Sequence, residues 1–415
     1  MQTRVLNKLV VVAALGYFVD IYDLVLFGME RVSSLTELLS DTYKSDPAGL
    51  KQAVQKTGIA LLNWQMLGML LGGIFWGILG DRKGRLSVLF GSILLYSLAN
   101  LANAAIQTTG QYAVLRFISG FGLAGELGAG ITLVSETLHP SVRGYGATLV
   151  ASVGLFGAVV AGTVGMALGN WRLSYVIGGV MGLCLLVMRM GVFESSLFTG
   201  MQKEKVRRGD FFSLFTHYNR FIKLLSVILI ALPVWYVMGI LITLCPELMK
   251  DRGLTDAPQN ARLAMTLAYV GITMGDVFSG MLSQRLKSRK KSLWIFLFLT
   301  LLGSVFYFTL AHRSLVLFYS VVVFIGFATG YWAVFISTAA ELFGTNLRST
   351  VTTSVPNFVR GGTIPITLLF QYLSGSAGFS KSTAAVGVGL LILALSFWAC
   401  AQLEETFHKN LDYTE

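Results

Sequence analysis

The chain has 415 residues, 54% of them hydrophobic and 13% charged, about half the charge density of an ordinary soluble domain. That balance excludes a soluble globular fold, and the net charge of +11 is better explained by orientation in a bilayer than by a nucleic-acid partner. Three cysteines, Cys184, Cys245 and Cys400, give no disulfide framework and read as small buried hydrophobes.

Apolar runs long enough to cross a membrane recur along the whole length. Spans are predicted at 9–30, 58–80, 86–107, 112–136, 143–168, 171–192, 221–246, 262–285, 291–311, 314–341, 349–373 and 380–402. Arg4 and Lys8 precede the first run without a small-residue cleavage site, so it reads as an uncleaved span. The longest polar break follows span 6. It divides the chain into a six-helix bundle over 1–192, a linker over 193–220, a second bundle over 221–403 and a tail over 404–415. The expected fold class is all-α integral membrane, with twelve spans in two six-helix halves. Lys and Arg concentrate on the segments that share a side with the termini, which puts both termini and the linker in the cytoplasm.

Span 1 contains GYFVDIYDLVLFG (16–28), with Asp20 and Asp23 three residues apart on one helical face. An ionisable group in a span costs several kcal/mol unless it meets a cavity or a partner, so it points to function. Neighbouring desolvated carboxylates hold protons more tightly than carboxylates in water, which suits proton coupling. Glu126 in span 4 joins them as a third candidate. Two cations read as lying within spans. Arg116 in span 4 is expected to meet Asp20 or Asp23 and is also a candidate, beside Arg360, for holding an anionic substrate group. Arg360 in span 11 lies between Pro356 and Pro365, where a kink is expected. A guanidinium matches a carboxylate or phosphate with two parallel hydrogen bonds, so Arg360 is the leading candidate for an anionic substrate group. Asp276 in span 8 is the competing fixed counter-ion. Asn63, Trp64, Gln65, Trp235, Tyr236, Tyr331, Trp332 and Asn357 are candidate lining residues, the aromatic ones competing with a role as interfacial anchors.

At the cytoplasmic ends of spans, Asp81, Arg82, Arg85, Glu136, Arg143, Glu341 and Arg348 read as ion-pairing gate residues that latch an outward-open state. Lys287, Arg289, Lys290 and Lys291 read as positive-inside anchors. Gly68, Gly72, Gly73 and Gly77 of span 2 permit close helix approach. The halves also repeat: Glu136 precedes Arg143 by seven residues, as Glu341 precedes Arg348, and the two glutamates are 205 residues apart. Such duplication is typical of secondary transporters with a site between the halves.

GILGDRKGR (77–85), RFISGFG (116–122) and ELFGTNLR (341–348) resemble, as a set, the loop and span motifs of the major facilitator superfamily. ESSLF (194–198) and EETFHKNLDYTE (404–415) resemble its cytoplasmic segments after spans 6 and 12. Asp20-Ile21-Tyr22-Asp23 and Ala124-Gly125-Glu126 are similar to its metabolite:proton symporters. Phe18 to Leu24, with Arg360 at the place of a lysine, is similar to its phosphate:proton symporters. Gly344 and Gln284 depart from the second-half motifs, and span 7 lacks the acid of the phosphate branch.

The resemblance implies alternating-access symport driven by a proton gradient, without a cofactor or metal. The expected protein is therefore not an enzyme. It is expected as a monomer in a bacterial inner membrane, in contact with lipid, protons and a small anionic metabolite, a carboxylate or carboxylate-type metal chelate, and not with nucleic acid. A proton-driven exporter, a phosphate, amino-acid or betaine symporter and a non-transporting sensor are the alternatives.

Overall fold

A computed structural model describes residues 8–83, 85–126, 140–193, 213–254 and 261–407. Among these, nine helices are long and apolar enough to cross a membrane. They are spans 1 (Lys8–Leu39), 2 (Pro47–Lys83), 5 (Pro140–Leu168), 6 (Trp171–Phe193), 7, 8 (Ala261–Leu286), 9 (Arg289–Thr309), 10 and 12 (Lys381–Gln402). Spans 3 (Arg85–Asn103), 4 (Thr109–Leu123) and 11 complete the twelve that the sequence predicts. Helices suit this setting because their backbone hydrogen bonds close internally, which hydrocarbon demands. Ends are set by local chemistry. Thr108 and Gln111 form a capping box before span 4, and Ser288, Ser314 and Ser380 cap spans 9, 10 and 12. Large apolar side chains such as Val114, Phe298 and Val316 point outward. Cys184 does too, contrary to its expected burial.

Close packing depends on bare glycines, and the two halves use the same device. A Cβ on Gly68 would strike the carbonyl oxygen of Phe117, and one on Gly120 would strike that of Gln65, so spans 2 and 4 lie backbone against backbone. Spans 8 and 10 do likewise: a Cβ on Gly275 would meet the Phe327 oxygen, and one on Gly326 the Ala268 oxygen. Without water to drive helices together, such close van der Waals approach is what holds membrane helices to each other. Gly73 and Gly77, in contrast, face Asn357 and Ser354 of span 11. Span 2 thus carries one glycine set for its own half and another for the opposite half.

Several spans are broken: span 4 is interrupted at Ala124 and Gly125, before Glu126, and three more breaks lie in the second half. Span 7 runs as Tyr218–Tyr236 and continues as a π-helical segment, Val237–Ile242, a form that recurs at functional sites. Span 10 breaks between Ala328 and Trp332, at Gly330. Span 11 breaks between Thr345–Gly361 and Thr363–Gln371. The expected kink thus falls at Gly362 and at neither proline. Pro356 lies inside a continuous helix. Pro365 sits in the first turn of the next helix, where a missing N–H costs nothing.

Replacing Gly120 by Ala tests the glycine packing, because the new methyl meets backbone that cannot rotate away. Overpacking of this kind costs about 1–3 kcal/mol, so thermal unfolding in detergent should occur at a clearly lower temperature. Gly280→Ala, where a Cβ meets nothing within 4 Å, should leave it unchanged. Equal stability of the two variants would contradict the packing.

Candidate functional site

Span 1 presents Gly16, Asp20 and Asp23 along one face, one turn apart, and each meets a different partner. At Gly16, span 1 lies directly against an ion pair between Glu126 of span 4 and Arg189 of span 6. Two hydrogen bonds join that pair, from Nη1 to Oε2 at 3.1 Å and from Nη2 to Oε1. Both side chains are buried. Glu126, the third candidate for proton coupling, is therefore an acid with a fixed cationic partner. Arg189 escapes the sequence pattern because it lies near the end of its span, where a cation ordinarily reaches back to the membrane surface.

Two turns further, Asp23 faces its own half. Its carboxylate packs against Gly178 of span 6, and the charge that acts on it most strongly is Arg116. Arg116 donates to Asn100 Oδ1 at 2.9 Å and lies over the Tyr175 ring, 4.8 Å from its centre. Tyr175 and Tyr112 share a 2.7 Å hydroxyl contact. Of the two expected partners for Arg116 the structure selects Asp23, and the link is electrostatic, with no hydrogen bond to either Asp23 oxygen.

Asp20 lies between these levels and faces the other half. Both its oxygens are buried without a hydrogen-bond partner. Arg360 of span 11 exerts the largest influence of any charge on it, ahead of Glu126 and Arg189. Arg360 itself is buried, donates from Nη1 to Asn357 Oδ1 at 3.3 Å, and has an unpartnered Nε. No ion pair joins Asp20 and Arg360. Asn357 in turn donates to the Ala124 carbonyl of span 4 at 2.9 Å, so it orients the guanidinium while tying the halves together. Asp276 is not the counter-ion of Arg360. Its Oδ1 accepts from the backbone N–H of Ala333 at 2.7 Å and caps the second piece of span 10, where that helix restarts after its break.

Several lining expectations are corrected. Trp64 is 47% exposed and packs on Phe117 at the outside of the bundle. The Tyr236 hydroxyl donates to the Ala385 carbonyl and that of Tyr331 to the Ile230 carbonyl, each at 2.9 Å, so both serve helix pairing. Gln65 donates to the Leu24 carbonyl at 3.3 Å, and Asn63 accepts from Thr367 at 2.7 Å. Trp235 and Trp332 are buried, and their indole N–H groups are enclosed without a hydrogen-bond partner.

Call the end of the bundle with the basic 8–9 loop the base and the opposite end the apex. At the base, Glu341 pairs with Arg289 at 3.0 Å and accepts from Thr406 at 2.6 Å, so Arg289 is more than an anchor. Glu136 lies outside the described residues, as do the side chains of Asp81, Arg82, Arg85, Arg143 and Arg348. At the apex the halves are joined by charges that the sequence pattern did not single out. Arg31 donates to Glu247 and to the Thr243 carbonyl, both at 2.9 Å. Its neighbour Glu30 pairs with Arg262, which also donates to Ser33 at 3.1 Å. Adjacent opposite charges at the end of an apolar run were the available signal. Each crosses to a different segment of the second half, so the apex is tied shut.

A family profile described as Major Facilitator Superfamily matches residues 35–364. The chain belongs to that superfamily. A Haemophilus influenzae protein carrying a general metabolite-transport name is 27% identical over 402 residues, 94% of this chain and 90% of that one. The 3-(3-hydroxy-phenyl)propionate transporter of Escherichia coli is 30% identical over 234 residues, 56% of this chain and 57% of that one. Among solved structures, the proton:xylose symporter XylE bound to 6-bromo-6-deoxy-D-glucose superposes with a TM-score of 0.69 at 15% identity, covering 97% of each chain. This superfamily member is thus a membrane transporter and not an enzyme, with a charged centre between its two halves.

The apex ties are testable with a native reporter, the buried Cys245 two residues before Glu247. Breaking a buried ion pair costs about 3–5 kcal/mol. In purified protein with Cys184 and Cys400 replaced by Ala, Arg31→Met and Glu30→Gln should each speed maleimide labelling of Cys245 severalfold or more. Labelling at the unaltered rate would show that these pairs do not hold the apex closed.

Proposed function

We propose that the chain is a proton-coupled symporter that imports a small organic anion, with Arg360 holding the anion and Asp20 carrying the proton. The observation that carries this reading is that Asp20 and Arg360, from opposite halves, are both buried without an ion pair, and Arg360 is the charge that acts most strongly on Asp20. An uncompensated charge is costly in such a place. Two loading states of the centre avoid one. In the empty state a charged Asp20 balances Arg360. In the loaded state Asp20 is protonated and a substrate carboxylate balances Arg360.

The half-loaded states carry net charge: a carboxylate beside ionised Asp20, or protonated Asp20 beside bare Arg360. Occlusion of these states is disfavoured, so proton and anion cross together and the empty carrier returns neutral. The Glu126–Arg189 pair on one side and Asp23 with Arg116 on the other form a fixed frame around the residue that titrates. Asp23 and Glu126, both candidates for proton coupling, act in this scheme by holding Asp20 in a defined field. A small aromatic carboxylate fits the site best. The indole N–H groups of Trp235 and Trp332 offer further donors, and the E. coli relative bears the name of a phenylpropionate transporter. The bacterial relatives support an inner-membrane location.

Asp20→Asn fixes the neutral form of the residue. In proteoliposomes that variant should keep exchange of carboxylate between the two sides while losing accumulation driven by an imposed proton gradient. Arg360→Ala should lose both, with affinity lowered about thirtyfold or more, since removing one partner of a buried charge interaction costs 2–5 kcal/mol. Uphill uptake by Asp20→Asn at the wild-type rate, or expulsion of substrate when the outside is made acidic, would overturn this reading.

A further inference from the structure

Among the described tyrosines, most of the buried ones are accounted for by helix packing. Tyr22 donates to the Ser174 carbonyl at 3.0 Å, Tyr307 to the Leu241 carbonyl at 2.5 Å, and Tyr236 and Tyr331 to carbonyls already named. Tyr112 and Tyr175 bond to each other. Tyr96 has an enclosed hydroxyl without a partner. Tyr17 of span 1 and Tyr269 of span 8 are different. Neither hydroxyl bonds to any described residue, and neither side chain is completely enclosed, at 3% and 5% exposure. Of all charges, Arg360 acts most strongly on both hydroxyls, and Asp20 comes next.

Helix register explains the convergence. Spans 1 and 8 run antiparallel across the interface. Glu30 meets Arg262 at the apex, and two residues deeper a Cβ on Gly28 would lie 2.8 Å from the Met265 methyl. Carried down the helices at 1.5 Å per residue, that register sets Tyr269 opposite the turn holding Asp20 and Asp23, and Asp276 opposite Tyr17. Tyr17 accordingly feels Asp276 as well, and Tyr269 approaches from the apex side. The ring of Tyr17 is fixed in this position by Gly154 of span 5, where any Cβ would collide with it.

We propose that Tyr17 and Tyr269, one from each half, contact the substrate and donate hydrogen bonds to the carboxylate that Arg360 holds. This rests on the reading of Arg360 as the anion site. A carboxylate offers about four acceptor positions. The guanidinium fills two of them with parallel bonds, and the two hydroxyls approach the remainder from the apex and the base. The guanidinium is charged and offers donors alone, so the site would favour a carboxylate over its neutral amide. Because the donors come from both halves, bound carboxylate also bridges the interface that must close around it.

The test uses the full chain in detergent, with acetate, benzoate and citrate as probes, each beside its amide, read by calorimetry. In the wild type a carboxylate should bind and its amide should not. Tyr17→Phe and Tyr269→Phe should each weaken that carboxylate about tenfold, the usual effect of deleting a hydrogen bond to a charged group. Unliganded thermal stability should stay at the wild-type value, and the Tyr96→Phe control should bind normally. If both variants bind the carboxylate as the wild type does while Arg360→Ala does not, the tyrosine assignment is wrong and the anion site stands. If the wild type binds none of the carboxylates, or binds them equally well without Arg360, the anion site fails and the tyrosine assignment falls with it.

Discussion

A charge inside a bilayer must be balanced locally, and this molecule is organised around that constraint. Its centre holds three arginines and four carboxylates, all buried: Arg116, Arg189 and Arg360 with Asp20, Asp23, Glu126 and Asp276. Glu126 is tied to Arg189 by an ion pair and Asp276 to a helix terminus. Asp23 and Asp20 make no ion pair: the charge that acts most on Asp23 is Arg116 of its own half, and that on Asp20 is Arg360 of the opposite half. A site that changes its occupancy needs such uncommitted charges. If every charge were locked to a neighbour, the centre would be a structural brace with no affinity left for a substrate or a proton.

The rest of the architecture lets Asp20 and Arg360 be approached from either side. Within each half, bare glycines put spans 2 and 4, and spans 8 and 10, in backbone contact, which makes rigid units. Between the halves, spans 2 and 11 and spans 5 and 8 pack along the interface, with Gly28 against the Met265 methyl and Gly361 against Leu70. Polar ties punctuate it: Asn357 on the Ala124 carbonyl near the centre, Thr367 on Asn63 above it, and Arg31 and Glu30 on their partners at the apex. Such ties can be exchanged one set for another as the halves rock. Helix breaks occur in both halves: in span 4 at Ala124 and Gly125, just before Glu126, and in spans 7, 10 and 11 of the half that carries Arg360. Both halves therefore have local freedom to adjust to a ligand while span 1 stays continuous.

Much of this was legible in the sequence. A carboxylate or guanidinium in an apolar run stands out, and Asp20, Asp23, Arg116, Glu126 and Arg360 all proved to be buried at the centre. Their pairing was not legible, because it depends on how helices from distant parts of the chain are rotated against each other. That rotation gives Asp20 and Asp23 different charged neighbours, turns Trp64 outward and commits the hydroxyls of Tyr236 and Tyr331 to carbonyls. Charged residues that look ordinary by place were missed for the same reason: Arg189, Glu30 and Arg31 lie near span ends, where charges are common. Conversely, Pro356 and Pro365 suggested a kink that the chain makes at Gly362, since one proline sits where its missing N–H does no harm.

The central claim is that ionised Asp20 and a substrate carboxylate alternate as the balance for Arg360. Proton uptake on ligand binding tests this most directly. Carboxylate binding to the detergent-purified protein can be followed calorimetrically, above the pH at which Asp20 ionises, in buffers of different ionisation enthalpy. The wild type should take up about one proton for each carboxylate bound, the single site expected of a group that must become neutral, and Asp20→Asn should bind the same carboxylate with none. Binding without proton uptake in the wild type, or undiminished uptake in Asp20→Asn, would contradict the account.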